Sequence, residues 1–171
     1  MFVRVPTRAA LAGALLLAWS GSALAQTLPG CEIIPASDTR KSYYQCQNGL
    51  QIELETGSSI VVPTGDATRL DKINLQQGGA WINLPAGSGN FQIDTPRLAA
   101  AVRGTEFAVT ADPTESSVFV ISGRVQVTQV SDGKSTELSA GVGITASDGT
   151  PFEPSRWSTS RVEQLNGRFG K

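Results

Sequence analysis

The chain has 171 residues, 14 of them basic and 15 acidic, with no histidine and 40% hydrophobic residues. That length supports one domain with its own core, and the near-neutral balance without a basic stripe argues against a nucleic-acid binder. The missing histidine excludes Ser-His-Asp and Cys-His catalysis.

Residues 1–25 carry the three parts of a secretory signal peptide. "MFVRVPTR" supplies two arginines, "AALAGALLLAW" is an apolar run, and "SGSALA" ends in small residues at Ala23 and Ala25. The expected cleavage lies between Ala25 and Gln26, and the run is too short for a permanent span. A rival reading takes "LPGC" as a lipoprotein site with Cys31 acylated. It is weaker, because Cys31 lies well beyond the apolar run and a proline precedes it closely. The mature part keeps 12 basic and all 15 acidic residues, a net charge of about −3. No later stretch is apolar enough to re-enter a membrane, so the expected product is soluble and periplasmic.

Residues 26–49 contain both cysteines, Cys31 and Cys46. Export permits a disulfide between them, worth about 3 kcal/mol on the chain-entropy account. A free thiol pair and a metal pair are the alternatives. Zinc needs two further ligands, and the chain has neither histidine nor a third cysteine.

From residue 50 to 150 the pattern is short strands punctuated by glycine. "LQIELE" alternates Leu50, Ile52 and Leu54 with Gln51, Glu53 and Glu55, as a half-buried strand does. "SIVV" stops at Pro63. "INLQQGGAWINL" reads as two strand arms around Gly78 and Gly79, and "VFVISGRVQVTQV" repeats that design around Gly123. Asp132-Gly133 and Asp148-Gly149 read as hairpin-type turns. Eighteen glycines in this arrangement predict an all-β domain, a sandwich or a short β-roll with glycine-marked corners.

Within "TPRLAAAVRGTEFAVT" the apolar positions are even at Leu98, Ala100 and Val102 but odd at Phe107 and Val109. The phase slips at Arg103-Gly104-Thr105, which predicts a bulge or strand corner. Arg103 is expected to act there as a staple for unpaired carbonyls, with Glu106 in reach as a partner. The competing role is anion binding in a cleft, set behind the staple because no second basic residue accompanies Arg103 in the segment.

Residues 151–171 form a tail ending in "STSRVEQLNGRFGK". Ser160 and Glu163 have capping-box spacing, Val162, Leu165 and Phe169 share a helical face, and Asn166-Gly167 can end the helix. One short helix covering an end of the sheet is expected.

Three blocks, "TPRLAAAVRGTEFAVT", "SSVFVISGRVQV" and "ELSAGVGITA", resemble the FecR domain. They supply Thr95-Pro96 before a small-apolar run, then Val102, Arg103, Gly104, Thr105 and Phe107. They continue with Gly123 between apolar arms that include Val125 and Val127, and close on Gly141 and Gly143. The resemblance implies a periplasmic β-domain over residues 50–150 that senses or scaffolds. In the best-known members that domain belongs to a transmembrane anti-sigma regulator relaying iron-siderophore status. This chain shows a signal peptide and no regulatory helices or transmembrane segment, so a stand-alone exported member is expected. The family implies no catalytic residues.

Enzyme motifs fare poorly. "SDGK" matches Ser-x-x-Lys at Ser131 and Lys134, yet lies on an Asp-Gly turn, and "TQVSDGKS" misses a P-loop. Glu53, Glu55, Asp66 and Asp71 read as solvated carboxylates. Trp81 reads as core; Trp157 is divided between packing and an exposed stacking platform. The expectation is a non-enzymatic binding or sensing domain, without cofactor or metal, that recognises an envelope protein or cell-wall component. A signalling module working with a separate membrane regulator of sigma-factor or iron-uptake type is the alternative, and an envelope hydrolase the distant third.

Overall fold

The structure is a computed structural model that describes residues 28–34, 41–63 and 68–171. The expected signal peptide, the cleavage expected between Ala25 and Gln26, and Asp66 lie outside the described residues. The domain is all-β with one C-terminal helix. Thirteen strands follow in chain order: β1 (Cys31–Ile34), β2 (Lys41–Cys46), β3 (Gln51–Glu55), β4 (Ser59–Val61), β5 (Lys72–Leu84), β6 (Phe91–Asp94), β7 (Leu98–Val102), β8 (Thr105–Ala111), β9 (Glu115–Ser122), β10 (Arg124–Gln129), β11 (Ser135–Ser139), β12 (Val142–Ser147) and β13 (Ser155–Arg156). Helix α1 spans Thr159–Phe169.

The strands form one sheet folded over on itself, a roll with two faces. One half, the covered sheet, has the order β1-β2-β3-β5-β8-β9-β12-β13. The other, the open sheet, has the order β4-β5-β6-β7-β10-β11. Strand β5 belongs to both: residues 72–77 lie in the open sheet, and from Gly78 onward the strand pairs with β3 and β8 in the covered one. The two arms foreseen around Gly78 and Gly79 are therefore one strand of 13 residues that bends between faces. The chain then returns across the end of the roll, so β6 runs parallel to the start of β5. The other ladders among the described residues are antiparallel, as short glycine-bounded connections favour.

The chain changes sheets at Gly57, Gly78, Gly104, Gly123 and Gly141, each with positive φ. The glycine punctuation thus marks where the roll turns over. Inside it, Ile52, Leu54, Ile82, Leu84, Phe107, Val109, Val118, Val120 and Ile144 from the covered sheet meet Ile73, Leu75, Phe91, Ile93, Leu98, Val102, Val125, Val127 and Leu138 from the open one.

Helix α1 packs on the outer face of the covered sheet. Leu165 and Phe169 join Trp81, Ala108 and Phe119 in a second apolar cluster. The helix boundaries differ from the expected ones. Its N-cap is Ser158, whose hydroxyl accepts the Arg161 N–H, and it runs through Asn166-Gly167 to a left-handed C-cap at Gly170. The extra turn carries Phe169 to Trp81, ring centroids 5.5 Å apart, and that burial outweighs the local stop signal. Gly79 leaves the room, since a Cβ there lies 3.0 Å from Phe169 Cζ. Among the described residues no helix is long and apolar enough to cross a membrane.

Candidate functional site

The corner between β7 and β8 contains the block that the sequence singles out. Val102 and Phe107 are buried on its two sides, one in each sheet, so the parity slip brings both strands' apolar sets to the same core. Gly104 turns the corner at φ 62°, and Thr105, 2% exposed, locks it: its hydroxyl donates to the Arg124 carbonyl at 2.8 Å, with the Arg103 carbonyl 3.3 Å away. The neighbouring corner leans on this one. A Cβ on Gly123 lies 2.8 Å from the Gly104 carbonyl oxygen and 2.9 Å from Thr105 Oγ1.

Thr95 and Pro96 form the β6–β7 hairpin, where the Thr95 hydroxyl accepts the Leu98 N–H and donates to its carbonyl, both at 2.9 Å. Val125 and Val127 are fully buried in the open sheet. Gly141 turns from β11 into β12, its N–H bonded to the Val120 carbonyl. Gly143 lies under the Trp157 indole, where a Cβ falls 2.4 Å from Nε1.

Arg103 departs from the staple expectation. The Thr105 hydroxyl takes the carbonyl-capping task, a short side chain already aimed inward, while Arg103 is exposed. Among the described residues no hydrogen bond or ion pair reaches its guanidinium. Glu106 is not its partner either: alternation places Glu106 on the outer face of the covered sheet, where it accepts the Trp81 Nε1–H at 2.9 Å.

Arg103 instead stands at the rim of a groove of about 650 Å³ on the outer face of the open sheet. The floor is Ala101, flanked in register by Gln92 of β6 and Gln126 of β10, with Lys72 and Glu137 further out. A small residue on the central strand between longer polar ones makes the trough. Arg124 joins the rim, 3.5 Å from Glu137, and Lys72 is held by Asp94 at 2.6 Å. A side recess brings Arg69 and Asp71 to Arg103, and Arg69 donates to the Ser88 carbonyl at 2.9 Å. The second basic residue missing from the segment is therefore supplied by others. Arg124, Gln126 and Glu137 were legible as outward positions of alternating strands. Arg69 and Lys72 carried no local signal.

The remaining candidates fall elsewhere. Cys31 and Cys46 form a disulfide across directly opposed positions of β1 and β2. Glu53 is 3% exposed and Glu55 holds Arg168 through two hydrogen bonds of 2.6 and 2.7 Å, so neither is a solvated carboxylate: α1 and Lys171 cover that face. Trp81 is buried, as expected. Trp157 stacks on Phe119 at 4.9 Å, with Arg161 3.7 Å above its ring, which assigns it to packing. Ser131 and Lys134 sit on the exposed β10–β11 turn, and Asp71 is exposed beside Arg103. Among the described residues no group of three or more cysteine or carboxylate side chains is placed to hold a metal.

The fold and these residues place the molecule in a recognised class. The FecR protein family matches residues 36–126, and the chain belongs to that family. The match takes in the whole Thr95–Phe107 block and Gly123, begins upstream of β2, and ends before Gly141 and Gly143. Two crystal structures of a putative anti-sigma factor from Parabacteroides distasonis ATCC 8503 share the fold, with TM-scores of 0.61 and 0.62, each at 18% identity. In both comparisons 80% of this chain is covered, and it spans 65% of the length of those chains. No curated protein matches it.

Proposed function

We propose that this protein is a non-enzymatic periplasmic recognition module, binding an envelope protein or cell-wall component in the groove on its open sheet. One observation carries the reading. Around the β7–β8 corner, Val102, Gly104, Thr105 and Phe107 each have a structural task, whereas Arg103 is exposed, unengaged among the described residues, and directed to a polar groove. An exposed guanidinium ringed by glutamine, lysine and carboxylate side chains suits recognition of a polar, partly anionic surface.

The second reading is a periplasmic signalling module that acts with a separate membrane protein in sigma-factor or iron-uptake control. Family membership supports it, as does the likeness to a putative anti-sigma factor. Both readings send a partner to the groove and differ in which one.

The test uses wild-type protein and Arg103→Ala as baits in envelope extract, with captured proteins and glycans identified by mass spectrometry. Arg103→Ala should melt with the wild type and lose its specific partner. Equal capture by the two baits overturns the assignment of the groove. An inner-membrane regulator or outer-membrane receptor among the captured proteins selects the second reading.

A further inference from the structure

One end of the groove on the open sheet carries two like charges side by side. The ladders around β7 stop at Val102, which faces Val125 of β10 and Phe91 of β6. One residue further on, Arg124 and Asn90 come to either side of Arg103, and all three are exposed at the groove. Like charges at neighbouring cross-strand positions repel, and an anion between them relieves the repulsion. We infer that this end of the groove holds the α-carboxylate of a peptide chain terminus, its last residues lying over Ala101. This ligand class rests on the reading of the groove as a recognition site.

Three features support a carboxylate terminus. Both guanidinium groups are open to it. Arg103 has no hydrogen bond or ion pair among the described residues, and the ion pair of Arg124 with Glu137 is 3.5 Å long and exposed at both ends. Such a pair is worth little and yields easily to the two oxygens of a carboxylate. The charge balance also matches a monoanion. Arg69, Lys72, Arg103 and Arg124 stand against Asp71, Glu137 and the Asp94 that pairs Lys72, which leaves one positive charge over. A phosphate would bring nearly twice the negative charge. Finally, the peptide group next to the carboxylate meets an unused amide. Gln126 lies on the same outward face as Arg124 and has no side-chain partner among the described residues. It can both donate to and accept from one peptide group. Ala101, between Gln126 and Gln92, leaves a notch for a small side chain.

The probes are Nα-acetyl-L-alanyl-L-alanine, Nα-acetyl-D-alanyl-D-alanine, their C-terminal amides and inorganic phosphate. Each is titrated into the protein and followed by NMR through the backbone amides of Ala101 and Gln126. An acid should bind about tenfold more tightly than its amide, the margin that charged hydrogen bonds supply. Arg124→Ala should shrink that margin and Arg124→Lys restore part of it, whereas Gln126→Ala should weaken acid and amide alike. These side chains are exposed, so the variants should fold. Preference for the D form points to a cell-wall peptide and for the L form to a protein's C-terminus; either supports the site. Equal binding of acid and amide, tighter binding of phosphate than of the acids, or no shift with any probe overturns it. The groove reading survives those results if Arg103→Ala still loses its partner in extract. Acids that bind while no partner depends on Arg103 support the carboxylate site and sink the capture of a macromolecule there.

Discussion

Thr105 and Gly123 are the residues on which the two adjacent corners depend, and Arg103 beside Gly104 is the one the corner can spare. Thr105→Val removes a buried hydroxyl and leaves the Arg124 carbonyl without its donor, a loss of about 1–3 kcal/mol. Gly123→Ala combines a left-handed backbone, φ 85°, with a Cβ driven onto the Gly104 carbonyl, and should destabilise by about 2–4 kcal/mol. Arg103→Ala should stay within about 0.5 kcal/mol of wild type, as an exposed substitution does. Urea titration of the three variants checks the ranking. A large loss for Arg103→Ala returns that residue to a structural role. The parity slip that betrayed the corner was legible in the sequence. Which side chain caps the corner was not, because a hydroxyl aimed at a carbonyl nineteen residues later depends on how the next corner packs.

Strands of the roll such as β7 and β10 were readable from their alternation, and several strands end at a glycine corner. The helix was readable as an element but not at its ends. Asn166-Gly167 is a sound local stop, yet Phe169 gains more by reaching Trp81 than the helix gains by ending early. Phe169→Ala should therefore loosen the whole last turn, lowering stability by about 3–5 kcal/mol if the cavity stays open and less if α1 undocks. Trp81 emission should shift to the red as water reaches its ring; an unshifted spectrum means the helix holds by other contacts. The carboxylates of β3 were misread for a related reason. Strand periodicity says which face Glu53 and Glu55 occupy, and it cannot say that a helix more than a hundred residues later covers that face. At the N-terminal edge, reduction of the Cys31–Cys46 bridge frees β1 from β2 and should lower stability by about 3 kcal/mol, measured as melts with and without dithiothreitol.

Acid should loosen the end of the roll opposite the corner block. Asp112 accepts the N–H groups of Thr114 and Glu115 and the Thr114 hydroxyl, which holds its carboxyl below the usual range. Asp148 is lowered likewise by its hydrogen bonds with Arg97. Groups with lowered values stabilise the fold above their unfolded-state pKa and lose that contribution as pH falls through the folded value. Stability should be flat near neutrality and decline below about pH 4. Asp112→Asn should reduce that decline, and an unchanged acid limb assigns it to other carboxylates.

Strand β5 has a consequence for how the molecule comes apart. It is the central ladder partner of β3 and β8 on one face and of β4 and β6 on the other, so neither sheet keeps its core if β5 leaves. Two sheets sharing one strand have no independent melting units. Calorimetric and van't Hoff enthalpies should therefore agree, and hydrogen exchange in the two arms of β5 should report the same opening free energy.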